Sequence, residues 1–162
     1  MTASSGPTGT LGGIARHARS RGPIELLDAV SVTVAGGVQG DFRGAVKPGG
    51  KGRRQISLIT AEGWAAAMAD LKLHADQILP WYERRANLLV SGLHLPREEG
   101  YVIAVGKSLR IMVTQECDPC SRMEELAAGL KGALMPDWRG GLLGRVLTDG
   151  TIAVGDEIRI ER

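Results

Sequence analysis

Glycine-bearing turns divide this chain into short runs, none longer than a short strand or a three-turn helix needs. The C-terminal third shows this best. Leu142-Leu143-Gly144-Arg145-Val146-Leu147, a Thr148-Asp149-Gly150 turn and Thr151-Ile152-Ala153-Val154 read as a β-hairpin, because Asp-Gly suits the positive-φ positions of a tight turn. Gly155-Asp156 then turns the chain into a last strand, Glu157–Ile160. Upstream, Ala29–Val34 and Leu109–Gln115 alternate apolar and polar residues, and Gln55–Ile59 and Asn87–Val90 are short apolar runs. Residues 10–17 make a weaker first strand. At least seven strands with two intercalated helices, and no regular βαβ alternation, specify a mainly β (mixed β/α) fold. The expected architecture is a closed or partly closed barrel of about seven strands with peripheral helices.

Two helices are expected. Thr60 is placed to cap one over Ala61–Leu71, where Trp64, Met68 and Leu71 recur at helical spacing. The other starts near Ser121 and runs to about Leu130, closing near Gly129 or Gly132. Pro80 interrupts any helix over residues 76–85, and residues 42–52, with Gly44, Pro48, Gly49 and Gly50, read as a mobile surface loop. With 23 Gly and only three Trp, two Tyr and one Phe in 162 residues, aliphatic side chains must fill most of the core. This length fits one domain, expected over residues 10–162, behind a small, polar, disordered tail at residues 1–9. No apolar run approaches the ~20 residues that span a bilayer, and the N-terminus has no signal-peptide pattern. A cytoplasmic protein with reduced thiols and no membrane partner is the expectation.

The chemistry concentrates in Glu116-Cys117-Asp118-Pro119-Cys120-Ser121-Arg122-Met123-Glu124. Ser121 with Glu124 fits a capping box, and Asp118-Pro119 offers a second register for the same helix start. In either register the Cys120 sulfur lies beside free backbone N–H groups, a setting that favours thiolate over thiol. A thiolate attacks sulfur, carries a persulfide or ligates a soft metal. The alternative reading is a small buried residue at a turn. A net charge of +2 gives no reason to expect nucleic acid, but the clusters Lys51-Gly52-Arg53-Arg54 and Arg84-Arg85 suit a small anionic ligand.

Five blocks in order around Cys120 carry a resemblance. They are Gly40-Asp41; Arg54-Gln55-Ile56-Ser57-Leu58-Ile59 with Glu62; Arg85-Ala86-Asn87-Leu88-Leu89-Val90-Ser91-Gly92-Leu93; Pro119-Cys120; and Arg139-Gly140-Gly141-Leu142-Leu143-Gly144-Arg145-Val146-Leu147 continuing to Gly155-Asp156. Over roughly residues 10 to 160 the chain resembles a stand-alone MOSC domain, the module also found at the C-terminus of molybdenum-cofactor sulfurases. The resemblance implies a barrel related to the barrel domain of pyruvate kinase, and a cysteine, here Cys120, that carries sulfur or ligates molybdenum. It also implies links to pyridoxal-phosphate-dependent desulfurases and, in other members, molybdopterin-dependent reduction of N-hydroxylated substrates. Two departures stand out: many members have Glu directly before the Asn of the third block, where this chain has Ala86, and Cys117 is not part of the usual motif. The larger cofactor-binding members also carry an extra N-terminal domain, and no counterpart is expected before residue 10.

The leading expectation is a sulfur carrier that forms a persulfide on Cys120 with no tightly bound cofactor. Arg53, Arg54 and Arg85 would attract an anionic donor, Asn87 would orient it by hydrogen bonds, and Asp41 has a minor claim to the site beside its role in a turn. The partner would be a pyridoxal-phosphate-dependent cysteine desulfurase or a molybdoenzyme. A second reading makes Cys120 a ligand of molybdopterin-bound molybdenum, with Arg53, Arg54 and Arg85 on the pterin phosphate. Further alternatives are a dithiol switch or zinc site on Cys117-x-x-Cys120, and a non-catalytic anion-binding module. His17, His74 and His94 read as surface or structural residues, and Trp64, Trp81 and Trp138 as packing groups.

Overall fold

The computed structural model describes residues 6–161. Its elements are β1 (Thr8–Arg16), β2 (Glu25–Leu27), β3 (Ala29–Thr33), β4 (Gly37–Val38), β5 (Ile56–Thr60), α1 (Ala61–Leu71), β6 (Leu88–Ser91), β7 (Val102–Val105), β8 (Leu109–Glu116), α2 (Ser121–Leu126), α3 (Leu130–Leu134), β9 (Leu142–Thr148), β10 (Gly150–Ala153) and β11 (Glu157–Glu161). Seven strands follow one another around a ring, β11-β7-β8-β9-β5-β6-β1, and pairing of β1 with β11 closes it. The expected barrel is therefore closed, and the fold is mixed α/β. β2 hangs on β1, and β10, β3 and β4 form a small separate sheet. Every pairing is antiparallel except β5 with β6, which α1 and two short 3-10 turns at Ala75–Gln77 and Trp81–Arg84 connect as a single β-α-β crossover. Among the described residues no helix is long and apolar enough to cross a membrane.

Several local expectations are corrected. The predicted Leu142–Val154 hairpin does not form: β9 stays in the barrel beside β8 and β5, whereas β10 leaves it and pairs with β3. Asp149 is pulled out of a simple turn, since its carboxylate accepts the Val34 N–H at 2.7 Å. The first strand begins at Thr8, two residues before the expected boundary, because Thr8–Thr10 pair with Glu157–Arg159; residues 1–5 of the expected tail lie outside the described residues. The helix expected from Ser121 to Leu130 breaks at Ala127 (φ −159°, ψ 135°) into α2 and α3. Cys120 itself is the N-cap of α2 without a side-chain cap bond, so neither Ser121 nor Asp118 caps it. Glu124 instead accepts the Gly129 and Lys131 N–H groups at 2.7 and 3.2 Å, serving the start of α3. The loop after Asp41 is pinned at its beginning, where Gln55 Nε2 donates to Gly44 O at 3.1 Å and Val46 N to Ala35 O at 3.2 Å.

Alternation along the strands sorts side chains into two cores. Leu11, Ile14, Ile56, Leu58, Leu88, Val90, Ile103, Leu109, Ile111, Val146 and Ile158 point inward and fill the barrel. Ile59 points the other way, and with Ala86 it forms the floor on which Trp64, Ala67 and Met68 of α1, Met123 of α2 and Leu130 and Leu134 of α3 pack. Thr60 caps α1 as expected, its hydroxyl accepting the Gly63 N–H at 3.0 Å. Burying a side chain the size of Met123 or Leu134 contributes about 1.5–3 kcal/mol, enough to hold these short helices against the outside of the barrel.

Candidate functional site

Ser57 and Leu143 are paired in register and alternate with the inward Leu58 and Leu142, so they lie on the barrel's outer face next to the helical layer. A cavity of about 200 Å³ opens there. Segments remote in sequence meet around it: His17 just after β1, Asp41 and Arg43 in the pinned loop, Arg54 before β5, Arg84, Arg85 and Asn87 before β6, Cys117 and Cys120 between β8 and α2, and Arg122 in α2. Arg21 also reaches the rim, so six guanidinium groups face two carboxylates, Asp41 and Asp118. The cavity is built to attract anions.

The wall behind the cysteines depends on two glycines. Gly141 holds φ +99°, and a Cβ there would run into the Leu58 carbonyl oxygen. A Cβ on Gly140 would stand 2.8 Å from Cys117 O. Without side chains at 140 and 141, the chain after β8 approaches closely and Cys117 N donates to Gly141 O at 2.9 Å. Arg84, only 9 % exposed, fills the space between. Its Nε donates to Gly140 O at 2.9 Å, and its Nη2 to Cys117 O at 2.9 Å, Cys117 Sγ at 3.2 Å and Asp118 O at 3.4 Å. Cys117 is half-buried and Cys120 exposed. Just upstream, burial and the neighbouring Asp118 carboxylate push the Glu116 carboxyl above its ordinary range.

The predicted site residues fare differently. Cys120, Arg54, Arg85 and Asp41 all line the cavity. Arg54 is exposed, and no hydrogen bond or ion pair among the described residues engages its guanidinium. Arg85 adopts the left-handed conformation (φ 67°) at the end of a 3-10 turn, and its Nη2 donates to Gly22 O at 2.5 Å. Burial and the nearby Arg122 lower its pKa. Arg53 is not brought to the cavity: it points away, with Nη2 3.3 Å from Thr114 O and 3.9 Å from Glu99 Oε1. Asn87 borders the cavity, but its amide is tied to the barrel. Its Oδ1 accepts from Ser57 N at 3.0 Å and Ser57 Oγ at 3.2 Å, and its Nδ2 donates to Ala15 O at 3.2 Å. The structure thus gives Asn87 the task of joining β5 and β1 across β6.

His17, read from sequence as a surface or structural residue, lines the cavity. It is 7 % exposed, and its ring packs on Phe42 with centroids 4.7 Å apart. Asp41 Oδ1 accepts the His17 N–H at 3.1 Å and lies 3.7 Å from Nδ1. Burial foremost, then Arg85, hold the imidazole pKa below its ordinary value against the opposing pull of Asp41. Arg84 and Arg122 were also missed as site residues. Nothing in the Arg84-Arg85 pair says which side chain turns inward, because that is set by the backbone: Arg84 ends a 3-10 turn and Arg85 takes the left-handed conformation. Among the described residues no group of three or more His, Cys, Asp or Glu is placed to hold a metal ion, so a metal at Cys120 would have to bring its other ligands with it.

Comparison with known proteins fits this geometry. No curated protein matches the sequence. The fold is similar to that of the YuaD protein from Bacillus subtilis (TM-score 0.78, 20% identity, 94% of this chain and 95% of that one). It is also similar to YiiM from Escherichia coli (TM-score 0.67, 15% identity, 94% and 70%) and YiiM from Geobacillus stearothermophilus (TM-score 0.63, 16% identity, 96% and 76%). The family model described as MOSC domain matches residues 35–159, a span that contains both cysteines and every cavity arginine except Arg21. With its closed seven-stranded barrel and its cysteine-bearing cavity, this chain belongs to the MOSC domain family.

Proposed function

We propose that this protein is a sulfur carrier in which Cys120 accepts a sulfane sulfur and holds it as a persulfide for an acceptor. One observation carries the reading: an exposed thiol opens onto a cavity where six arginines outnumber two carboxylates. Attack on a sulfur donor requires an accessible thiolate, and the product, a persulfide, is itself an anion that nearby guanidinium groups stabilise. Arg54 and Arg85 are the anion-attracting groups, Asp41 fixes the loop that carries Arg43, and Asn87 holds the wall in place. A pyridoxal-phosphate-dependent cysteine desulfurase is the class of donor that supplies such sulfur. Incubation with an active desulfurase and cysteine, followed by intact-protein mass measurement, is the test. A gain of about 32 Da, one sulfur atom, is expected in Cys117→Ser, where Cys120 is the one remaining thiol, and not in Cys120→Ser, whereas an unchanged mass in Cys117→Ser refutes the proposal.

The same cavity supports a second reading, in which molybdopterin binds with its phosphate on Arg54, Arg85 and Arg122 and Cys120 supplies one thiolate to the metal. The donor set suits it, since a lone thiolate with a cluster of arginines matches a ligand that carries both a phosphate and its own sulfur donors. Such a cofactor would supply a two-electron redox centre; the chain's own residues would bind and orient it. Near-stoichiometric molybdenum in protein made in a cofactor-competent host, lost in Cys120→Ser, would support this reading over the first.

A further inference from the structure

Arg84 is a buried cation with an unusual set of partners. Four acceptors surround it: three are main-chain carbonyl oxygens of residues 117, 118 and 140, and the fourth is the Cys117 sulfur. Among the described residues no carboxylate forms an ion pair with it. A buried guanidinium is costly unless compensated, and among the described residues the sulfur is the one side-chain atom that accepts a hydrogen bond from it. The arrangement also bends the chain. In an extended segment successive carbonyls point to opposite sides, yet Cys117 O and Asp118 O both reach Arg84 Nη2. The segment therefore turns at Asp118-Pro119, and both sulfurs line one cavity, Cys120 exposed at its mouth and Cys117 half-buried against Arg84.

We propose that Cys117 resolves the persulfide formed on Cys120 and so converts the carrier into a sulfide-releasing site. This rests on Cys120 being the sulfur acceptor. The Cys117 thiol gives its proton to solvent, and the resulting thiolate attacks Cys120 Sγ. The bond between Cys120 Sγ and the sulfane sulfur breaks, and a Cys117–Cys120 disulfide forms. The sulfane sulfur leaves with the bonding electron pair and takes up one proton from solvent to depart as hydrosulfide, reduced by two electrons, while the two cysteines are oxidised by two. An external dithiol reductant returns two electrons and two protons to restore both thiols. Arg84 aims the Cys117 sulfur through its lone pair, and its positive charge offsets the negative charge on the attacking atom. The arginines at the rim hold the departing anion near the mouth. The division of exposure matches the sequence of events: the outer thiol meets the donor, and the inner one acts after loading.

The experiment loads the full-length protein with a desulfurase and cysteine, removes donor and reductant, and follows intact mass and released hydrosulfide together. The native chain should end about 2 Da below its reduced mass, with a Cys117–Cys120 cross-linked peptide, after releasing close to one equivalent of hydrosulfide. Cys117→Ser, checked by thermal melting to be folded, should keep the ~32 Da gain and release hydrosulfide at least about tenfold more slowly. A native chain that keeps the extra sulfur and forms no cross-link overturns the resolving step and leaves the carrier reading intact. Release from Cys117→Ser at the native rate does the same. A chain that never gains sulfur in either form overturns the acceptor reading and this step with it.

Discussion

Asn87 and Ser57 are bonded to each other at every polar position they share: Ser57 N and Oγ donate to Asn87 Oδ1 at 3.0 and 3.2 Å, and Asn87 N reaches Ser57 Oγ at 3.1 Å and Ser57 O at 3.0 Å. This joins the parallel strands β5 and β6 where the cavity floor begins. Asn87→Ala leaves the Ser57 N–H without its side-chain partner in a site that is 3 % exposed at Asn87, and should cost about 1–3 kcal/mol by denaturant unfolding. If Asn87 acts through the wall, slower sulfur loading in this variant should recover once the protein is kept well below its new melting temperature.

Gly141 cannot accept a side chain without both backbone strain and a clash. Gly141→Ala combines a strained φ of +99° with a clash at the Leu58 carbonyl oxygen, and should destabilise the protein by about 3 kcal/mol or more. Gly132, where a Cβ meets open space inside α3, should accept Ala with no loss and serves as the matched control in the same unfolding series.

Glu116 provides a test of the electrostatics at the end of β8. Its carboxyl titrates above the ordinary value of 4.5, so over the interval above 4.5 the fold keeps a proton that the unfolded chain releases. Stability therefore falls as pH rises through that interval and stays reduced above it. Glu116→Gln should raise the melting temperature at pH 7 and leave it nearly unchanged near pH 4.

His17 has the opposite dependence. The unfolded imidazole titrates near 6.5 and the folded one lower, because burial and Arg85, Arg43 and Arg122 disfavour the cation more than Asp41 favours it. Below about pH 6.5 the unfolded chain binds a proton that the fold resists, so stability drops as pH falls through this window. His17→Gln should flatten the stability profile between about pH 7 and pH 5, measured by denaturant midpoints across that range.

Local signals in the chain carried much of this architecture. Thr60 marks the start of α1, the alternation of Leu109–Gln115 marks β8, and Gly155-Asp156 marks the turn into β11. Long-range pairing was not legible. The partner of β10 is β3 because Asp149 and the Ser31–Thr151 pairing draw it there, and a local hairpin motif holds no record of a partner more than a hundred residues away. β7 escaped notice because Val102-Ile103-Ala104-Val105 is a short apolar run lacking alternation, as befits a strand with most of its side chains buried. At the site, Cys120, Arg54 and Arg85 were found in advance because their chemistry stands out, and Asp41 and Asn87 through the blocks that carry the family resemblance. Those missed, His17 and Arg84, do their work by being buried, and burial is decided by the closure of the barrel.

The central claim is that Cys120 is the atom that takes up sulfur. Its most direct test loads Cys117→Ser and Cys120→Ser side by side with a desulfurase and cysteine, traps persulfides by alkylation, and locates the added sulfur by fragmenting the peptide that spans residues 111–122. The account predicts the sulfane sulfur on Cys120 in the first variant and none in the second. Equal uptake by Cys120→Ser, or sulfur found only on Cys117 in the native chain, would contradict it.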